Sequence, residues 1–363
     1  MNANIEKLYQ QWRDAQPLNE TLQRRIDQSF MIDFNYNSNN LEGNTLTYGQ
    51  TKMLLLFGKV TGTALMRDLE EMKAHNVGLE LMKIEALDRE RPLSESFIRE
   101  LNRTILAGDF YKVSSDGSYK YKIHTGIYKT RPNSVITPSG EVFDYASPEE
   151  TPAMMGELVA WYNGAAQALH PIEQAVVFHY RYIRIHPFED GNGRIARLLV
   201  NYILYRHGYP MVVIPTADRR KYLNALGECD SITGKEPYNG ANATIEQIQP
   251  FLDFLKFYIE RKLTFAKDLL EGKIGDILET DKKDTVPTND LLNDPVKLGV
   301  KLGVNQITIL KYILSNNHIT TKELAQNIKI SETAIYHNIK KLRNLGVLER
   351  VGSDKTGHWQ VNL

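Results

Sequence analysis

The chain has 363 residues, with 44 Lys+Arg against 44 Asp+Glu, and this balance argues against a general affinity for nucleic acid or a membrane surface. A chain of that length holds two or three domains, each with its own core. One cysteine, Cys229, excludes an intramolecular disulfide and a thiolate zinc cluster. The polar start and the lack of ~20 consecutive apolar residues read as a cytoplasmic chain without a secretory signal or a spanning helix.

Residues 1–110 read as helical. Leu65, Leu69, Met72, Val77, Leu79 and Leu81 recur through a charged stretch, the pattern of an amphipathic helix. Ser94 ahead of Glu95-Ser96-Phe97-Ile98 predicts a helix start, continued by Leu101, Ile105 and Leu106. Earlier, Ser38-Asn39-Asn40-Leu41-Glu42-Gly43 sets Ser38 and Glu42 four apart, on one helix face. From 111 to 148 the character changes. Strand-like pieces fall at 119–121, 125–128, 134–136 and 141–143, and Thr137-Pro138-Ser139-Gly140 predicts the turn of a hairpin over 133–145. Helices resume at Pro152 and run to 206, broken by a glycine-containing loop, and further helices are predicted at 218–229 and 244–271. Charge runs with Pro287 and Pro295 make 272–302 a linker. Beyond it, 306–314, a helix starting near 319 and a third over 331–343, followed by strands at 347–352 and 358–361, have the order of a winged helix-turn-helix. Residues 305–363 carry 8 Lys/Arg against 4 Asp/Glu, a mild excess that leaves DNA binding, protein binding and self-association all open.

The densest chemistry lies at His186-Pro187-Phe188-Glu189-Asp190-Gly191-Asn192-Gly193-Arg194-Ile195-Ala196-Arg197. Singly, a histidine before proline is an ordinary loop residue, paired arginines are a solvated face, and Gly-Asn-Gly is a turn. Together they describe a site that holds a polyanion and removes a proton. His186 titrates near neutrality and can act as a general base. Gly191 and Gly193 permit a tight turn and a close approach to a ligand. The apolar spacing after Arg194 places a helix N-terminus at Asn192 or Gly193, with N–H groups and a dipole end suited to phosphate. Arg194 and Arg197 are three apart and suit a di- or triphosphate. Asp190 has the chemistry of a magnesium ligand for such a phosphate. Phe188 reads as the core anchor of the loop.

This run resembles the Fic family signature, His-x-Phe-x-Asp/Glu-Gly-Asn-Gly-Arg-x-x-Arg, at every fixed position. The resemblance implies a mainly α fold: a Fic helical core with a β-hairpin flap, plus the C-terminal winged helix. It divides the chain into an N-terminal helical region at 1–110, a Fic catalytic domain at 111–271, the linker at 272–302 and the winged-helix domain at 303–363. It implies an enzyme that uses ATP and Mg2+ to transfer AMP to a Ser, Thr or Tyr hydroxyl of a protein target, with auto-modification. His186 is then the base, Asp190 the metal ligand, Gly191, Asn192 and Gly193 the anion loop, and Arg194 and Arg197 the ligands of the outer phosphates. Val135, Ile136 and Thr137 fall where the family's flap covers nucleotide and target. Tyr222 and Asp230 fall where relatives build the adenosine pocket, as a stacking ring and an amino-group acceptor. Residues 38–43 are similar to the family's inhibitory motif, which implies that Glu42, with Ser38, holds Arg197 where the γ-phosphate must go. Three alternatives stand beside this. Glu42 positions a water for removal of AMP, another nucleotide replaces ATP, or the chain is a DNA-binding regulator with a nucleotide-sensing core. The implied partners are ATP, a protein target, a second copy of the chain as a homodimer and DNA through the winged helix, with no membrane partner.

Overall fold

The computed structural model describes residues 3–114, 117–136, 142–273, 304–328, 330–344, 348–351 and 358–361. The chain separates into two compact units, Met1–Ile277 and Leu278–Leu363, so the first takes in both 1–110 and 111–271.

Helices α7 (Pro171–Ile185) and α8 (Asn192–Arg206) form the centre of the first unit. Both carry apolar residues on nearly every face, and a helix of that kind stays out of water only when surrounded. Phe178, Tyr182 and Ile185 on α7 and Leu198, Tyr202 and Ile203 on α8 are completely buried. Around them lie α1 (Ala3–Asp14), α2 (Glu20–Asn40), α3 (Tyr48–Phe57), α4 (Met66–Leu87), α5 (Glu95–Ile105), α6 (Thr151–Asn163), α9 (Arg219–Thr233), α10 (Pro237–Ala241) and α11 (Gln249–Leu270). α8 packs on α4 and α5, α7 on α6 and α10, and α1 on α11.

The start of α5 follows the sequence reading, with the Ser94 hydroxyl accepting from the Phe97 N–H at 3.2 Å. On α4, Met72 and Leu79 are buried but Val77 is exposed. Val77 and Leu79, two apart, cannot share a helix face. The span from 152 to 206 is broken twice, because α6 stops at Gly164 and α7 restarts with Pro171, which has no N–H to continue a helix.

Two hairpins lie between α5 and α6 in the chain. Strand β1 (Phe110–Val113), absent from the sequence reading, pairs antiparallel with β2 (Lys120–Ile123). The expected strand at 125–128 is a turn: Gly126 has φ 73°, and its N–H is taken by Asn102 Oδ1 at 2.9 Å. Strands β3 (Ser134–Ile136) and β4 (Val142–Asp144) pair antiparallel, with Val135 opposite Phe143 and Ile136 opposite Val142. Their predicted turn at 137–140 lies outside the described residues.

The second unit consists of α12 (Val304–Ser315), α13 (Thr321–Ile328), α14 (Glu332–Asn344) and an antiparallel pair, β5 (Leu348–Val351) with β6 (His358–Val361). Ile309, Leu310, Ile313, Leu324, Ile335, Ile339 and Leu342 form its core. Most of the predicted linker at 272–302 lies outside the described residues. Among the described residues, no helix is long and apolar enough to cross a membrane.

Candidate active site

The site is built where α7 ends and α8 begins. His186 caps α7 in the left-handed region, φ 52° and ψ 60°, a backbone state that few residues other than glycine adopt. The loop that follows is secured through its carbonyls. Lys129 Nζ donates to Ile185 O at 3.0 Å and the Lys129 N–H to Pro187 O at 2.8 Å. Asn133 Nδ2 donates to His186 O at 3.3 Å and to Phe188 O at 3.0 Å, and Asn102 Nδ2 to Asp190 O at 2.9 Å. Phe188 is buried, as a loop anchor should be. The Asn192 amide braces it from both sides: Nδ2 donates to Phe188 O at 2.7 Å, and Oδ1 accepts from Phe188 N at 3.0 Å. The Asn192 side chain therefore shapes the loop, and the first backbone N–H groups of α8 have the chemistry of anion donors. Gly191, the N-cap, has φ 81° and sits against Asn102, so a side chain there is both strained and crowded.

The His186 ring stacks on Tyr145, just past β4, with centroids 4.0 Å apart and planes 14° apart. Its Nδ1 lies 3.3 Å from Ile183 O, which assigns the proton to Nδ1 and leaves Nε2 with the lone pair. Burial first, and then the Lys129 ammonium, push the imidazole down to about 4. At neutral pH it is an uncharged acceptor. Burial likewise pushes Lys129 down to about 8.

Arg194 and Arg197 are each only 3% exposed, which excludes a solvated face. Arg194 Nη2 reaches Asp190 Oδ1 at 3.2 Å, with Glu71 at 3.9 Å. Arg197 is held from α2 and the turn after it: Nε donates to Ser38 Oγ at 3.1 Å, and Nη2 to Ser38 O at 2.8 Å and Glu42 Oε1 at 2.8 Å. Glu42 lies beyond the α2 C-cap, Leu41, rather than on the helix with Ser38. Its carboxylate rests over the start of α8, so that a Cβ on Gly193 would collide with Oε1. Burial pushes the Glu42 carboxyl up, but Arg197 and then Arg194 outweigh it, and the net direction is down. The Asp190 carboxyl is also lowered, burial again being outweighed by Lys112 and Arg194.

The remaining sequence candidates divide. Val135 and Ile136 belong to the β3–β4 hairpin, whose end carries Tyr145, and Thr137 lies outside the described residues. Tyr222 departs from its expected role as a stacking platform. It is 4% exposed, enclosed by His179, Phe251 and Phe254, and its hydroxyl lies 2.9 Å from His179 Nε2. Asp230 Oδ1 already accepts from Tyr180 at 2.8 Å and from the buried Arg184 at 3.1 Å, while its side chain keeps 29% of its exposure. Lys112, Lys129, Asn133 and Tyr145 had no signal in the sequence, because each acts through a partner distant along the chain.

A metal carried by a polyphosphate needs one or two protein carboxylates and keeps phosphate and water as its other ligands. Asp190, a mostly buried carboxylate whose oxygens are both matched by cations, has the chemistry for that position. Among the described residues, no group of three or more His, Cys, Asp or Glu forms a self-sufficient metal cage.

Residues 92–204 match the Fic/DOC family model, and residues 304–349 match a winged helix-turn-helix DNA-binding model. A solved Fic-domain-containing signalling protein from Bacteroides thetaiotaomicron is 57% identical, covering 74% of this chain and 97% of that one, with a TM-score of 0.70. A protein adenylyltransferase of Caenorhabditis briggsae is 24% identical over 284 residues, 78% of this chain and 50% of that protein. One from Drosophila willistoni is 31% identical over 209 residues, 56% of this chain and 38% of that protein. The chain thus spans half or less of the length of these two relatives. With the motif loop, the helix start and the match across nearly all of the Bacteroides protein in agreement, the chain belongs to the Fic/DOC family.

Proposed function

We propose that this chain is a self-inhibited protein adenylyltransferase that transfers AMP from ATP to a hydroxyl side chain. The observation that carries the reading is Arg197, a buried arginine in the first turn of α8, held by a carboxylate brought from 155 residues away while an uncharged histidine waits at the end of α7. Glu42 lies where a terminal phosphate of a bound triphosphate belongs, over Gly193 and on Arg197. Displacing it opens the anion site. The target oxygen then attacks the α-phosphorus, the bond from that phosphorus to the α–β bridging oxygen breaks, and pyrophosphate leaves. The hydroxyl proton goes to His186 Nε2. Arg194, Arg197 and the α8 N–H groups offset the charge that develops on the phosphates, so the protein contributes alignment and electrostatics and no covalent intermediate. Asp190 would hold Mg2+, which when bound supplies charge neutralisation at the phosphates.

The test is incubation of the full chain with each nucleoside triphosphate and Mg2+, followed by intact mass. An increment of one AMP with ATP, absent in His186→Ala, supports the reading. An increment from another nucleotide replaces the donor, and none in either protein or in an added substrate counts against transfer. A second reading, removal of AMP, draws on one observation: the Glu42 carboxylate rests over Gly193, inside the motif that begins with His186. In that case Glu42 orients a water, and Glu42→Gly loses the ability to clear an AMP-modified target.

A further inference from the structure

Asp190 carries two cations. Arg194 holds Oδ1, and Lys112 Nζ holds Oδ2. Lys112 comes from β1 and lies outside the family motif. In the β1–β2 register it pairs with Tyr121, so the two side chains share the hairpin face turned to the motif loop. That face is fastened a second time. The Arg131 guanidinium lies 4.2 Å from the Tyr121 ring centroid, and its Nη2 donates to Lys122 O at 3.0 Å and Glu189 Oε2 at 2.6 Å. Hairpin and motif loop therefore meet through two acidic residues, Glu189 and Asp190. The first has its own arginine, and the second gives Lys112 the oxygen a divalent ion would use.

We propose that Lys112 is a built-in counter-cation that competes with the divalent ion for Asp190, so that the β1–β2 hairpin sets the metal threshold of the site. A mostly buried carboxylate with one oxygen left unmatched is costly. Lys112 satisfies it while the site is empty and has to yield Oδ2 when a metal–nucleotide complex arrives. Its side chain is 36% exposed, which leaves a route into solvent. The device is separate from Glu42, which blocks the phosphate on Arg197 rather than the metal on Asp190.

This inference rests on the nucleotide-binding reading, and one binding experiment separates the two. In the full chain carrying His186→Ala, so that ATP is not consumed, ATP affinity is measured by calorimetry without metal and with saturating Mn2+. The ratio of the two is the metal coupling. Lys112→Met is expected to raise that coupling roughly five-fold, the scale of a partly exposed ion pair, and Lys112→Arg to leave it as it was. Asp190→Asn is expected to abolish it. Unchanged or weaker coupling in Lys112→Met overturns the competition. Unchanged coupling in Asp190→Asn overturns the assignment of Asp190 as the metal carboxylate, and the proposal about Lys112 with it.

Discussion

Replacing Glu42 by glycine should activate the chain. The Glu42–Arg197 pair has one close contact, at 2.8 Å, between a guanidinium 4% exposed and a carboxylate still 40% exposed. Water screens that carboxylate, so the full interior value of an ion pair does not apply. An exposed pair is worth about 1 kcal/mol or less, and a hydrogen bond to a charged group about 1.5–3 kcal/mol. A release of about 1–2 kcal/mol corresponds to roughly 5- to 30-fold in rate at sub-saturating ATP. The fold should tolerate the change, because residue 42 lies past the end of α2 and escapes the helix-interior penalty of glycine. The assay is AMP incorporation by wild type, Glu42→Gly, and Glu42→Gly combined with Arg197→Ala. The double variant loses the gain, because the arginine that the carboxylate blocks is also the one the phosphate needs. A Glu42→Gly rate at or below wild type, with an unchanged thermal transition, refutes the reasoning.

Three further outcomes follow from the same geometry. Gly193→Ala sets a methyl group where Glu42 Oε1 rests, 3.1 Å from Arg197 Nη1; it should displace the latch yet weaken ATP binding at least about ten-fold, the cost of overpacking, and calorimetric affinity at the wild-type level contradicts this. In the pH profile, the Glu42 carboxyl lies below its ordinary range in the folded chain, so the latch is complete at neutral pH and is lost only as pH falls through that lowered value. The His186 imidazole is likewise depressed, to about 4, and Glu42→Gly removes a charge that raises it, so the acid limb of kcat/KM for that variant should fall no higher than about 4; a limb near 6.5 contradicts the buried site. Ending the chain after residue 275 removes the second unit and none of the motif, so auto-modification should persist.

The parts of the molecule legible in the sequence were those with local causes. Ser94 caps α5 because its hydroxyl reaches an N–H three residues on. The wing appears as two short strands after the last helix, and His186 through Arg197 form one contiguous run whose chemistry can be read in line. Ser38 and Glu42 could be paired with Arg197 through a family resemblance, although the placement of Glu42 in the turn after α2 required the structure. The remainder depended on distant partners. Lys129 reads as an ordinary surface lysine until Ile185 O and Asn133 enclose it. Tyr145 gains its role from stacking on a ring 41 positions later. Tyr222 misled because an aromatic residue near a nucleotide pocket and one in the core look alike in sequence, and the rings of His179, Phe251 and Phe254 decide between them. Val77 and the strand expected at 125–128 failed for local reasons, a helix face and a left-handed glycine.

The central claim is nucleotidyl transfer by a base that Glu42 and Arg197 hold in check. It is tested most directly by giving Glu42→Gly ATP labelled at either the α- or the γ-phosphate, with Mg2+, and following protein-bound label. The account predicts stable incorporation from α-labelled ATP only, faster than in wild type and lost in Glu42→Gly combined with His186→Ala. Incorporation from γ-labelled ATP, or α-label retained without His186, would contradict it.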